Sequence, residues 1–151
     1  MTGRCSFDTN ILVYACDRAA GDRHERAREL VGRAAFADCV LTQQVIGEFL
    51  NVGRRVLKAE PDLVATAAGS LAELFGGACT SVAILLAAFK RSKRYQLQFW
   101  DSVIITVCLA NSVDTLITED MQDGLIVDGL TILDPFNNVN APVLASLLAP
   151  R

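Results

Sequence analysis

Short apolar runs alternate along the chain with longer stretches whose apolar residues recur every three or four positions, the rhythm of βαβ units. A short strand is expected around Arg4 to Phe7, leading into a helix from Thr9. Asp22 to Phe36 reads as a second helix with Ala27, Leu30, Val31 and Ala34 turned inward. Cys39 to Thr42 reads as a strand. Gln43 to Lys58 carries Val45, Phe49, Val52 and Val56 at helical spacing, and Pro61 opens the next helix, where its missing N–H costs least. Gly76-Gly77 breaks that helix; Cys79 to Ser81 is expected as another short strand before a helix from about Val82. Trp100 to Ala110 resumes the helical pattern, and Thr115 to Thr118 and Leu130 to Leu133 are the last two strands. Asp123-Gly124 and Asp128-Gly129 mark turns between them. The fold class is therefore α/β, with a central, mainly parallel sheet of four or five strands.

A length of 151 residues fits one domain, 1–151. The chain is 52% hydrophobic and 21% charged, with a mean hydropathy of +0.34. That apolar surplus, including Leu63, Leu71, Leu74, Phe75 and Leu85, suggests a second copy or a partner over part of the surface. Asp8 interrupts the N-terminal apolar stretch too early for a secretory signal. No apolar run approaches the ~20 residues of a spanning helix. Five cysteines without a CxxC pair read as small buried hydrophobes in a reducing compartment, so a soluble, cytoplasmic protein is expected. His24 is the only histidine and lies among charges in DRHERARE, where it reads as solvated. Zinc sites of Cys/His type and Ser-His-Asp triads have almost nothing to be built from.

The candidate chemistry is carried by acids. Open α/β sheets bind ligands beyond the carboxyl ends of their strands. Asp8 falls at the end of the first strand, and Glu119 and Asp120 follow the strand Leu116-Ile117-Thr118. Asp101 sits near the start of an apolar helix, and Glu48 lies on a polar strip with Gln44, Asn51 and Arg55. Each acid alone has a structural explanation. Asp8 or Asp101 can cap a helix, Glu48 can be solvated, and Asp120 or Asp123 can form turns in TEDMQDG.

The ordered set is far more specific than any member. DTNILVYA, QVIGEFLNV, FWDSVI and LITEDMQDG, closed by ILDPF, resemble the motifs of the PIN domain family and, within it, the VapC-like toxins of prokaryotic toxin–antitoxin pairs. The resemblance spans Asp8 to Phe136. It implies a three-layer α/β/α domain with a carboxylate-lined ribonuclease site dependent on Mg2+ or Mn2+, leaving a 5'-phosphate and a 3'-hydroxyl. Carried over residue by residue, the catalytic and metal-holding acids are Asp8, Glu48, Asp101 and Asp120, with Asn10 and Thr118 as supporting polar residues. Thr9 is assigned a local role. Within TEDMQDG the fourth acid is matched to Asp120, while Glu119 or Asp123 stays open as an addition or replacement. The implied partners are an RNA substrate, a cognate antitoxin and a second copy in a homodimer.

Physical chemistry supports the metal reading on its own terms. Carboxylates crowd together ionised only when a cation compensates them, and hard oxygen ligands suit Mg2+ or Mn2+. A divalent ion can lower the pKa of a water for in-line attack on a phosphodiester, chemistry that needs no histidine.

The net charge of −3 is uninformative, because setting the four acids aside reduces the 17 acidic residues to 13 against 14 basic. The run Lys90, Arg91, Lys93 and Arg94 precedes Tyr95, Phe99 and Trp100 and is a candidate RNA-binding group. The alternative is a solvated helix end, with Trp100 in the core. Arg54, Arg55 and Lys58 form a second basic group.

Two other functions fit less well. A receiver-like signalling domain wants adjacent acids after its first strand and a lysine after its last, and neither is present. A PIN-like module that binds RNA or a partner without cutting has no need of the intact acid set.

Overall fold

The computed structural model describes residues 3–151. Four strands form the central sheet: β1 (Cys5–Phe7), β2 (Thr115–Ile117), β3 (Ile126–Val127) and β4 (Leu130–Leu133), in the order β1-β2-β4-β3. β1 pairs parallel with β2 and β2 parallel with β4; β3 runs antiparallel to β4. Every residue of β1 and β2 is buried, as expected of parallel strands covered on both faces. Among the described residues, seven α-helices pack around the sheet: α1 (Thr9–Cys16), α2 (Asp22–Ala34), α3 (Gln43–Val56), α4 (Pro61–Phe75), α5 (Val82–Tyr95), α6 (Phe99–Ala110) and α7 (Ala141–Leu147). The result is a three-layer α/β/α arrangement with a mixed, mainly parallel sheet.

The helices follow their apolar patterns. In α2, Ala27, Leu30 and Ala34 are buried and Val31 packs against them. In α3, Val45 and Phe49 are buried while Val56, the last residue of the helix, is exposed. The sequence FWDSVIITVCLA is apolar on every side, and residues 102–108 of α6 are all buried. Pro61 occupies the first turn of α4, and Gly76 ends that helix at φ +71°, a conformation that costs glycine little.

Several expectations need correction. Cys39 to Thr42 and Cys79 to Ser81 are not strands. The first contributes only isolated bridges, Cys39 to Cys5 and Thr42 to Ala78, because α3 starts at once and Thr42 turns its hydroxyl to cap it; the second leads straight into α5, which Ser81 caps by accepting from the Ile84 N–H. β3 has only two residues, too few to show alternation. It forms a hairpin with β4 because Asp128 and Gly129 adopt φ +48° and +93°, the geometry of a twisted two-residue turn. Cys5 and Cys108 are buried, but Cys16 and Cys79 are exposed and Cys39 is half-buried; all five are free thiols. His24 is half-buried, with Nδ1 2.9 Å from the carbonyl oxygen of Tyr14. Among the described residues no helix is long and apolar enough to cross a membrane.

Candidate active site

The parallel register builds the floor of the site. Phe7 lies opposite Ile117, so the residues that follow each strand, Asp8 and Thr118, emerge side by side. Asp8 accepts from the Thr118 hydroxyl at 2.9 Å through Oδ2 and from the Thr9 N–H at 2.8 Å through Oδ1. It therefore caps α1 and faces the sheet edge at once. The two readings of Asp8 from sequence are compatible.

Three further acids reach the same cavity. Glu48 projects from α3, Asp101 from the first turn of α6, and Asp120 from the loop after β2. Together with Asp8, Thr9, Asn10 and Tyr14 they line a cavity of about 420 Å3, whose remaining wall is Val13, Val52, Val56 and Ile104. No Lys, Arg or His lines it.

The carboxylates are individually held. Both oxygens of Glu48 are fixed, Oε2 by the Thr9 hydroxyl and Oε1 by the Gln44 side-chain amide, each at 2.8 Å. Gln98 caps α6 by accepting from the Asp101 N–H at 2.9 Å, which leaves the Asp101 carboxylate free of that duty. The Thr118 hydroxyl also accepts from the Asp120 N–H at 3.1 Å and from Asn10 at 3.4 Å. Thr9 is thus more than the local residue expected, and neither Thr9 nor Gln44 was legible as a support. Gln44 stands one helical turn before Glu48, the spacing at which side chains meet, and that signal could have found it.

Electrostatics show the strain of gathering these groups. Asp8 is 6% exposed, and burial pushes its pKa up to about 6. The bonds from Thr9 and Thr118 oppose the rise; Glu48 and Asp101 add to it. Asp101 is also raised, first by burial and then by repulsion from Asp120 and Glu48. Both shifts come first from burial and then from the neighbouring carboxylates.

A divalent ion fits this donor set. The ligands are hard oxygens, the uncompensated charge favours a cation, and Asn10 Oδ1 is a buried acceptor without a hydrogen-bond partner. Among the described residues, no three acid, histidine or cysteine side chains are already drawn together at ligand spacing. The carboxylates face one cavity rather than form a closed cage.

The other acids of TEDMQDG point elsewhere. Glu119 accepts from the Tyr14 hydroxyl and, at 3.0 Å, from Arg23, whose guanidinium lies 4.8 Å from the centre of the Phe136 ring. Asp123 accepts from the Asp134 N–H and from the amides of Asn137 and Asn140, and these bonds pull its pKa down. Asp120 alone of the three lines the cavity.

The basic run divides. Arg91 donates to Asp128 at 2.9 Å and to Thr106 at 2.7 Å, and its side chain is only 19% exposed. It braces the β3–β4 hairpin against α5 and α6, so it is not one of the solvent-facing cations the sequence suggested. Lys90, Lys93 and Arg94 are exposed. Trp100 is 52% exposed, not a core residue, because α6 turns residues 102–108 inward and leaves its first turn at the rim.

Comparison with known proteins agrees with the geometry. No curated protein matches the chain in sequence. Among solved structures, a toxin–antitoxin complex from Klebsiella pneumoniae is similar over 87% of this chain and 98% of its own, at 21% identity and a TM-score of 0.64. VapC20 of Mycobacterium tuberculosis, a sarcin-ricin loop cleaving toxin, matches over 74% and 86% at 16% identity and a TM-score of 0.60. VapBC2 from Rickettsia felis, bound to a DNA fragment from its promoter, matches over 85% and 96% at 15% identity and a TM-score of 0.60. At such identities the likeness is one of fold. The PIN domain family model matches residues 6–122, from within β1 to beyond Asp120 and so across all four cavity acids; the chain belongs to the PIN domain family.

Proposed function

We propose that residues 1–151 form one PIN domain acting as a metal-dependent endoribonuclease, the toxin of a toxin–antitoxin pair. One observation carries this reading: four carboxylates from four separate elements line a cavity with no basic side chain, two of them with raised pKa values. Such a cavity favours a cation and, with it, a phosphodiester.

Asp8, Glu48, Asp101 and Asp120 would hold Mg2+ or Mn2+. When bound, such an ion supplies an activated water and neutralises charge on the phosphate and the departing oxygen. The chain's own residues do the rest. Thr118 and the Thr9 N–H keep Asp8 in one orientation, while Thr9 and Gln44 keep both Glu48 oxygens directed. The unpartnered Asn10 Oδ1 is available to accept from a water beside Asp8. Lys90 and Lys93 are exposed and available to the RNA backbone, while Arg94 stands 3.9 Å from Asp128.

The similar solved structures include a toxin–antitoxin complex and a sarcin-ricin loop cleaving toxin, which supports an antitoxin partner and an RNA substrate here. Exposed Val82 and Leu86 on α5, with Leu63 and Leu74 on α4, supply apolar surface for that antitoxin or for a homodimer. The test is cleavage of total cellular RNA with mapped ends. Cleavage is expected with Mg2+ or Mn2+, and it should vanish in EDTA and in Asp8→Asn and Asp101→Asn variants that keep their circular dichroism. Cutting that survives chelation, or both substitutions, would refute the mechanism.

A further inference from the structure

α3 and α6 each bring an acid to the cavity, but they pack on different neighbours: α3 lies mainly against α1 and α4, and α6 against α5. The first turns of the two helices meet through one side chain. Gln44, in the first turn of α3, donates from Nε2 to Glu48 Oε1 at 2.8 Å and from the same nitrogen to the Trp100 carbonyl at 3.3 Å. Trp100 immediately precedes Asp101 in the first turn of α6. Among the described residues, no other hydrogen bond joins α3 to α6.

The orientation of the amide follows from its partners. Both acceptors lie at its nitrogen end, so turning it over would set its oxygen against a carboxylate and a carbonyl. Its own Oε1 is buried and accepts no hydrogen bond, an unfavourable state that the two donated bonds offset. A glutamine that only braced its own helix would need no more than the bond to Glu48, four residues on. The bond to Trp100 reaches a second element. Because Thr9 of α1 holds the other Glu48 oxygen, Gln44 links a carboxylate that is already fixed to the backbone beside Asp101.

From this geometry we infer that Gln44 is a positioning residue that sets the separation of Glu48 from Asp101 and, through it, the size of cation the cavity accepts. This rests on the reading of the four acids as a divalent-ion site and deepens it by naming what selects the ion. Mg2+ demands near-ideal octahedral geometry at about 2.0 to 2.1 Å, whereas Ca2+ takes roughly six to eight oxygens at about 2.3 to 2.6 Å in flexible arrangements. Mn2+ shares the preference of Mg2+ for hard oxygen ligands. Carboxylates on two untied helices can spread to the wider shell of Ca2+. A short link between the first turns of α3 and α6 opposes that spreading, so the smaller ion is favoured. Gln44 acts here through Glu48 and the start of α6.

The assay compares Mn2+ with Ca2+ on the full chain without RNA, by isothermal titration. The wild type should bind Mn2+ the more tightly. Gln44→Met keeps the length of the side chain and removes its donors. Mn2+ affinity should then fall roughly tenfold, the scale of one hydrogen bond to a charged group. Ca2+ affinity should change little, so the preference for Mn2+ narrows by a similar factor. Trp100 is the only tryptophan, and its fluorescence anisotropy in EDTA should drop as the first turn of α6 is released. Gln43→Met removes the acceptor for the Thr80 N–H on the same turn of α3 and should leave both the ion preference and the anisotropy unchanged. Gln44→Leu, with the same loss of donors in another shape, serves if the methionine variant melts early.

Equal losses of Mn2+ and Ca2+ affinity in Gln44→Met would overturn the inference, since a general loosening weakens both. So would a Gln44→Met protein that binds both ions as the wild type does, or a Gln43→Met protein that loses the preference as well. Any of these in a chain that cleaves RNA with Mn2+ would leave the ribonuclease reading standing without the link. The expected loss of preference in a chain that cuts no RNA would uphold the link and refute the nuclease. A wild type that binds neither ion would overturn both.

Discussion

Replacing Asp8 by asparagine should stabilise the metal-free protein while removing the proposed ribonuclease activity. The carboxylate is almost wholly buried, and its pKa is pushed up to about 6 from an ordinary 3.8. For an acid raised in the folded state the sign runs against stability. The folded chain holds the proton more tightly than the unfolded one, so stability is greatest below the ordinary pKa and falls as pH rises through the folded value. At pH 7.5 the ionised group costs about 3 kcal/mol, at about 1.4 kcal/mol per pH unit. Asparagine removes the charge and can still accept from the Thr9 N–H, but the Thr118 hydroxyl, already accepting from Asn10 and Asp120, must reorient. That lost bond returns about 1 kcal/mol, leaving a net gain of about 2 kcal/mol. In a chain of this size the gain corresponds to roughly 4 to 8 °C in Tm. Differential scanning fluorimetry in EDTA measures it from pH 5 to 7.5. The wild type should lose stability across that range, and Asp8→Asn should flatten the loss. Adding Mn2+ at pH 7.5 should stabilise the wild type far more than the variant. An Asp8→Asn protein that melts lower than wild type at pH 7.5 without metal would refute the reasoning.

Thr9→Val keeps the shape of the side chain but strips one bond from Glu48 Oε2; Mn2+ affinity by isothermal titration should fall roughly tenfold, on the scale of a hydrogen bond to a charged group. Tyr14→Phe preserves the edge contact with Phe136 while freeing Glu119 from one of its two partners. The loosened loop should weaken Mn2+ binding several-fold in the wild type and not in an Asp120→Asn background, a coupling that a double-mutant cycle reads directly. Arg91→Ala removes the bonds to Asp128 and Thr106 and should cost roughly 2 kcal/mol in urea unfolding, yet leave the salt slope of RNA binding unchanged, unlike Lys93→Ala.

What the sequence determined by itself was everything carried by local period and by motif order. The alternation of short apolar runs with helical stripes is enough for an α/β class, and the uniform apolarity of α6 is enough for its burial. Asp8 after the first strand and Glu119-Asp120 after a later one were legible because a strand's end is marked by where its apolar run stops. Tertiary structure decided the orientations. Glu119 and Asp120 are adjacent in TEDMQDG, and nothing local says which faces the cavity; Tyr14 and Arg23, about a hundred residues away, take Glu119 and leave Asp120. Arg91 looked like any solvated cation until Asp128, from a hairpin too short to show alternation, claimed it. Trp100 was read into the core because its helix is apolar, whereas the first turn of a buried helix lies at the rim. Periodicity is a property of neighbours within one element, and a side chain's direction at a loop or helix end depends on partners from others. For that reason the acids could be named from sequence, but their common cavity and its supports could not.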